Sequence, residues 1–307
     1  MSNTATVICS TGMQYTLRTD PGELLTAHLK GRMRLDDIHS TNPVAVGDHV
    51  LYEADGDEAA ITELLPRRNC VVRRATNLSK QTHILAANVD QALLVVTINY
   101  PVTTAVFIDR FLASAQAYDV PVVLVFNKMD RYDTAHLDEL TKFKQVYIDM
   151  GYPTIEISAK HDIGLEQVRE VLQGKVSVVA GHSGVGKSTL INHIQPGLNL
   201  RTDDISDANH TGRHTTTYAQ MHPFDFGGYI IDTPGIRGFG LTGIPDAEVG
   251  HYFRDIFAAS AGCKYPNCRH LREPGCAVRQ AVDQERIAPS RYKSYVSIVT
   301  GTDAKYR

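Results

Sequence analysis

No stretch of this chain is long and apolar enough to be a membrane helix, and its first twenty residues hold no apolar run of the secretory kind. Both absences point to a cytoplasmic protein without membrane contact. A large excess of one charge is missing too. The 31 Lys and Arg stand against 34 Asp and Glu, a net of −3, which argues against a strongly basic nucleic-acid binder. Cysteine is scarce, at 5 in 307 residues, and three of the five crowd into one short C-terminal segment. In a reducing compartment such crowding favours a metal over disulfides. Cys9 and Cys70 stand apart and read as structural thiols. The rest, 43% hydrophobic and 21% charged, is an ordinary globular composition, and 307 residues leave room for two or three domains.

What the chain does contain is a set of short motifs. Gly181-His182-Ser183-Gly184-Val185-Gly186-Lys187-Ser188, followed by Thr189, fits the phosphate-binding pattern G-x-x-x-x-G-K-[ST]. Residues 175–180 before it form the short β-branched run of a buried parallel strand. Lys187–Ile194 after it reads as a helix whose N-terminus favours an anion. The three glycines let backbone N–H groups converge on phosphate. Lys187 can reach the β- and γ-phosphates, which makes it a catalytic candidate, and the Ser188 hydroxyl can ligate Mg²⁺.

A second pair of motifs names the base. Residues 120–126 read as a buried strand with Asn127-Lys128-Met129-Asp130 at its carboxyl end, the edge where open α/β sheets bind ligands. The Asp130 carboxylate can accept two N–H groups from guanine, a pair that adenine lacks. Asn127 and the Lys128 stem are expected to flank the ring. Ser158-Ala159-Lys160 follows another strand, residues 153–157, with the Ala159 N–H directed at the guanine carbonyl oxygen. The expected ligands are therefore GTP and GDP.

Asp232-Thr233-Pro234-Gly235 follows a third short strand and matches the D-x-x-G of GTPases. Asp232 would hold Mg²⁺ through water, and the Gly235 N–H would sense the γ-phosphate. The polar stretch 207–217 fits a switch whose Thr215 or Thr216 ligates Mg²⁺ when the γ-phosphate is present. The residue after Gly235 is Ile236, where many GTPases place a water-orienting Gln. Intrinsic hydrolysis is thus expected to be slow, with His214 as a candidate for the missing group.

The order of these motifs is reversed relative to an ordinary GTPase, in which the phosphate loop comes first. Strand and helix patterns alternate from Asp90 to Ile194, with Gln173-Gly174 as the linker into the phosphate-loop strand. The chain therefore reads as a circularly permuted P-loop GTPase domain, a parallel sheet with flanking helices, over residues 71–240. Five short alternating runs between residues 5 and 65, punctuated by glycines, suggest an OB-like β-barrel over 1–70, with an SH3-like barrel as the alternative. Residues 241–307 carry Cys263-x4-Cys268-x-His270-x5-Cys276, a closed zinc-ligand set in a loop-rich, helical domain. From Ile236 to Arg307 the chain holds eleven Lys and Arg against seven Asp and Glu, and Arg67-Arg68 with Arg73-Arg74 form a second basic cluster. Either could face phosphate.

Taken together, these residues resemble the circularly permuted GTPases of the bacterial ribosome small-subunit-dependent GTPase A family, over essentially the whole chain. The carriers are the permuted order, Gly212-Arg213-His214-Thr215-Thr216-Thr217, Asp232-Thr233-Pro234-Gly235, the zinc-ligand set and the barrel-like start. The resemblance implies GTP hydrolysis stimulated by the small ribosomal subunit and its rRNA, and a role in late maturation of that subunit, here by a monomer. Two alternatives stay open: a permuted GTPase of another RNA particle, and a nucleotide-gated RNA-binding module with negligible catalysis.

Overall fold

The computed structural model describes residues 3–12, 14–30, 42–74, 82–198, 219–232, 241 and 244–302. The first five strands are β1 (Asn3–Ser10), β2 (Tyr15–Thr19), β3 (Leu24–Leu29), β4 (His49–Asp55) and β5 (Glu58–Leu64). Alternate residues point inward; along β2, Tyr15, Leu17 and Thr19 are buried while Thr16 and Arg18 are half-buried. β1 pairs with both β2 and β4, β3 with β5 in parallel, and β4 with β5, so the strands close on themselves around Val7, Leu17, Ala27, Val50 and Ile61. This is the expected OB-like barrel.

A hairpin of β6 (Cys70–Arg74) and β7 (Thr82–Ala87) leads into the central sheet. There follow β8 (Gln91–Val96), α1 (Ala105–Ala117), β9 (Val122–Phe126), α2 (Thr134–Asp149), β10 (Thr154–Glu156) and α3 (Leu165–Leu172). Then come β11 (Val176–Ala180), α4 (Lys187–Ile194), β12 (Gln220–Pro223) and β13 (Tyr229–Asp232). The strand order is β10-β9-β8-β11-β13-β12, all parallel except β12. Period-2 alternation divides β8 between the two helical layers: Ala92, Leu94 and Val96 pack under α1 and α2, while Leu93 and Val95 pack under α3 and α4. Both layers cover the sheet, so β8 from Ala92 onward and all of β9 are apolar, as expected of buried parallel strands, while Gln91 at the start of β8 is hydrogen-bonded to the Val171 carbonyl.

The hairpin and β12 were not expected. Residues 67–74 read as a basic cluster because four arginines hide the strand pattern of β6. Two of them are paired within the chain. Arg67 donates to both oxygens of the buried Asp48 at 2.7 Å and to the Pro43 carbonyl at 3.0 Å; Arg68 pairs with Asp90 at 2.8 Å. They tie the barrel and its hairpin to the central sheet. The barrel also meets that sheet directly, because β1 pairs with the edge strand β12 at Cys9 and Gln220. The Arg18 guanidinium lies 4.3 Å over the Tyr229 ring of β13, adding a cation–π contact. At Gly47 a Cβ would lie 2.0 Å from the Ala87 carbonyl oxygen, so only glycine permits this approach.

The last three helices are α5 (Arg254–Ser260), α6 (Ala277–Asp283) and α7 (Pro289–Val299). They surround Phe253, Ile256, Tyr295 and Ile298 and share that core with Ala113 of α1. At the junction Arg291 is buried among Asp109 of α1, at 2.6 Å, Asp255 of α5, at 3.1 Å, and the Phe253 ring. Burial alone would lower the Arg291 pKa, but the two carboxylates outweigh it and raise it. Removing one member of such a buried set typically costs about 3–5 kcal/mol, because the others are left uncompensated. No helix among the described residues is long and apolar enough to cross a membrane.

Candidate functional site

The loop between β11 and α4 lies at the carboxyl edge of the central sheet. Its glycines are forced. Gly181, at φ +138°, has the Val95 carbonyl oxygen 2.3 Å from where a Cβ would sit, and Gly186, at φ +97°, has the Asn127 amide at 2.4 Å. Val185 is fully buried beneath the turn, while Gly184 is exposed. The Lys187 ammonium donates to the His182 carbonyl at 3.0 Å, so the side chain curls over its own loop. Ser188 and Thr189 occupy the first turn of α4, partly exposed.

Residues 127–130 follow β9 beside this loop. Asn127 is 2% exposed, and its amide joins three segments. It donates to the Val185 carbonyl at 2.8 Å and accepts from the N–H groups of Lys128 and Ala159, at 2.7 and 3.0 Å. The Asn127 amide thereby fastens the phosphate loop to residues 127–130 and 158–160, and the residue also lines the pocket that they form. Lys128, in the left-handed region at φ +69°, donates to the carbonyls of Tyr100 and Gly184, each at 2.6 Å. Asp130 accepts from the Ser158 hydroxyl at 2.5 Å and has His161 at 3.6 Å. The Ser158 hydrogen bond holds its carboxyl below the usual range, so it is ionised and ready to accept N–H donors near neutral pH. Met129 hydrogen-bonds through its N–H to the Ile157 carbonyl, locking β9's loop to β10's.

These segments enclose a pocket of about 490 Å³, whose walls include Asn127, Lys128, Asp130, Lys160, Gly186 and Thr189. Arg131 also lines it, a place that no motif marks, because the residue lies just past residues 127–130. The fold thus unites residues 127–130, 158–160 and 181–189. His214, Thr215, Thr216, Gly235 and Ile236 lie outside the described residues. For Asp232, the backbone ends β13 and the side chain lies outside the described part. β13 runs parallel to β11, so Asp232 and the phosphate loop share one edge of the sheet, where Ser188 also stands. Hard oxygen donors at that edge suit Mg²⁺.

The second cluster is Cys263, Cys268, His270 and Cys276, whose ligand atoms all lie within 4.8 Å of one another. The sulfurs of Cys263 and Cys276 are each 3.5 Å from His270 Nδ1. A tetrahedral zinc site with ordinary bond lengths has a nitrogen–sulfur edge of roughly 3.5 Å, so the set could hold zinc. Burial, with the Cys276 thiol beside it, pushes the Cys268 thiol up to about 12; a coordinated cation reverses that by deprotonating the thiol. Burial also lowers the His270 pKa, keeping the ring neutral as a ligand must be. The surrounding loop is pinned by Tyr292, which donates to the His270 carbonyl at 2.6 Å, and by Tyr295, which donates to that of Arg269 at 2.8 Å. Glu273 accepts from the backbone N–H groups of Arg269, Leu271 and Arg272.

Comparison with known proteins agrees with this geometry. Residues 64–242 match the family model described as RsgA GTPase. A small ribosomal subunit biogenesis GTPase RsgA of Phocaeicola vulgatus is 52% identical over 306 residues, covering 98% of each chain. The crystal structure of YjeQ from Thermotoga maritima superposes with a TM-score of 0.81 at 36% identity, covering 98% of both chains. That of YloQ, a circularly permuted GTPase, gives 0.75 at 29% identity over 99% of this chain and 96% of the other. The permuted motif order, the pocket it builds and this similarity over nearly the full length establish that the chain belongs to the RsgA GTPase family.

Proposed function

We propose that the pocket binds GTP and GDP, and that the protein hydrolyses GTP while bound to the small ribosomal subunit, in that subunit's late maturation. The observation carrying the nucleotide assignment is the single pocket shared by Asp130, Lys160, Gly186 and Thr189, which joins base-reading and phosphate-binding residues. Asp130 accepts the guanine N–H groups, the Ala159 N–H meets the carbonyl oxygen, and Lys128 and Lys160 border the ring. Residues 181–188 cradle the phosphates through backbone N–H groups, with Lys187 on the β- and γ-oxygens. Mg²⁺, held by Ser188 and Asp232, supplies neutralising charge at the phosphates. Thr215 or Thr216 and the Gly235 N–H report the γ-phosphate, and His214 stands in for the water-orienting Gln that Ile236 replaces. Zinc on Cys263, Cys268, His270 and Cys276 is structural, since four protein ligands leave no open position.

The partner assignment is supported by the relatives, whose names place them in small-subunit biogenesis. The barrel, the permuted sheet and the metal-bearing helices support a division near 1–70, 71–240 and 241–307, with β6 opening at the first boundary, and the protein acts as a cytoplasmic monomer on rRNA. Titration of a fluorescent GDP against competing GTP, GDP and ATP tests the site. GTP and GDP are expected to displace it and ATP not; equal displacement by ATP overturns the assignment.

A further inference from the structure

The loop between β8 and α1, residues 97–103, belongs to none of the motifs, yet it touches both halves of the pocket. It is closed on itself by the Thr103 N–H on the Thr97 carbonyl at 2.8 Å, the Thr97 N–H on Thr103 Oγ1 at 3.1 Å, and the Thr97 hydroxyl on the Pro101 carbonyl at 2.6 Å. Thr103, 4% exposed, lies 2.7 Å from His182 Nε2 in the phosphate loop. The other ring nitrogen of His182 lies 3.1 Å from the Ser183 carbonyl, which can only accept. In the neutral ring Nδ1 therefore carries the proton, Nε2 accepts, and the Thr103 hydroxyl donates. Phe107 presents its ring edge-on to the same imidazole, at 5.5 Å between centroids.

At its other end the loop meets the base-reading side. The Tyr132 hydroxyl accepts from the Ile98 N–H at 3.1 Å and donates to the Asn127 carbonyl at 3.0 Å. Asn127 in turn donates to the Val185 carbonyl of the phosphate loop. The hydrogen bonds thus form a circuit: residues 97–103, His182, the phosphate loop, Asn127, Tyr132, and back. We propose that residues 97–103 are a brace that sets the phosphate loop against the base-reading loop, with Thr103 and Tyr132 as positioning residues for nucleotide binding. The circuit contains no group that the nucleotide must supply, so it holds the pocket open at the right spacing before binding.

The proposal rests on reading the pocket as a guanine-nucleotide site, and the experiment separates the two. Affinity for a fluorescent GDP with Mg²⁺, together with thermal melting, is measured for the full chain and for Thr103→Val, Thr103→Ser and Tyr132→Phe. Valine keeps the shape of threonine and loses the hydroxyl; serine keeps the hydroxyl and loses the methyl. One neutral hydrogen bond corresponds to about a fivefold loss of affinity, expected for Thr103→Val and for Tyr132→Phe, with Thr103→Ser within about twofold of the parent. The double variant Thr103→Val/Tyr132→Phe is expected to lose less than the product of the two, because both bonds lie in one circuit. Parental affinity in Thr103→Val, or an equal loss in Thr103→Ser, overturns the brace; so does a fall in melting temperature with unchanged affinity. If Thr103→Val does not fold, Tyr132→Phe carries the same test from the other end. No GDP binding by the parent protein overturns the functional reading and the brace with it.

Discussion

The nucleotide pocket and the Cys-His cluster are both built from short motifs on loops, but different things hold them together. The pocket stands on the carboxyl ends of buried strands, and its loops are fastened to one another by Asn127, Lys128 and the Ser158–Asp130 bond. Every one of those contacts is protein to protein. The cluster stands on residues 262–276, which contain no helix or strand and whose only buried residues are His270 and Cys276. There the donor atoms themselves face one another within 4.8 Å, a set that could hold an ion, and Tyr292, Tyr295 and Glu273 pin the loop's backbone around them. Short motifs thus build a site fastened by its own side chains in one case and a cluster of facing metal-ligand atoms in the other, according to what lies beneath the loop.

The largest expected effect follows from that contrast. Cys276→Ala, or removal of zinc, should unfold residues 262–276, and the alanine variant should also loosen the start of α6, for which Cys276 is the N-cap. Structural zinc contributes about 10 kcal/mol or more in small metal-held modules. Limited proteolysis should cut within 262–276, while GDP affinity stays within about twofold, since distant sites act independently. Loss of GDP binding together with zinc would erase the distinction between the two regions.

Asp130→Asn acts on the preformed site alone. The fold should be unchanged, because the carboxylate is partly exposed, but the pair of guanine N–H donors loses its acceptor. GTP affinity should fall by up to the order of 10⁴-fold, and xanthosine triphosphate should bind in its place. Competition titration with both nucleotides reads this directly; a variant still preferring GTP contradicts the role given to Asp130.

The bodies that carry the two regions meet where Asp109 of α1 pairs with Arg291 of α7, so Asp109→Ala probes their connection. It should cost about 3–5 kcal/mol, read as a lower denaturation midpoint, because Arg291 stays buried with less compensation. Replacing Arg291 by Met as well should recover part of that loss. A single variant as stable as the parent would mean that the junction is held by apolar packing alone.

The smallest effect concerns pH. The Ser158 hydroxyl holds the Asp130 carboxyl below its ordinary value. A group depressed in the folded state contributes stability above its unfolded pKa and loses it as pH falls through the folded one. Ser158→Ala should therefore raise the acid limb of GTP binding to higher pH and leave binding near pH 7 unaffected. An acid limb at the parental position would show that Ser158 does not tune the carboxylate.

Most of the fold and the pocket could be read from residue patterns, because the signals were local. The five barrel strands alternate in period 2, the sheet strands are apolar runs, and the phosphate loop, residues 127–130 and residues 158–160 are contiguous. What escaped was set by partners far away in the chain. The β6–β7 hairpin was hidden under arginines, two of whose neighbours were already committed to Asp48 and Asp90. β12 is four residues long and takes its identity from pairing with β13 and β1. Arg131, the loop 97–103 and the Asp109–Arg291 pair carry no spacing rule at all. Asn127 reads from its motif as a neighbour of the base; its burial and its bonds to Val185 and Ala159, which hold the loops together, become visible only in three dimensions.

The central claim is that nucleotide turnover in the pocket answers to the small ribosomal subunit. The most direct test is GTP hydrolysis by the purified protein alone, with small subunits, and with large subunits, at equal concentrations. Slow turnover alone, at least about tenfold stimulation by small subunits, equivalent to about 1.4 kcal/mol off the barrier, and none by large subunits is the predicted result. Equal rates in all three, or stimulation by the large subunit only, would contradict it.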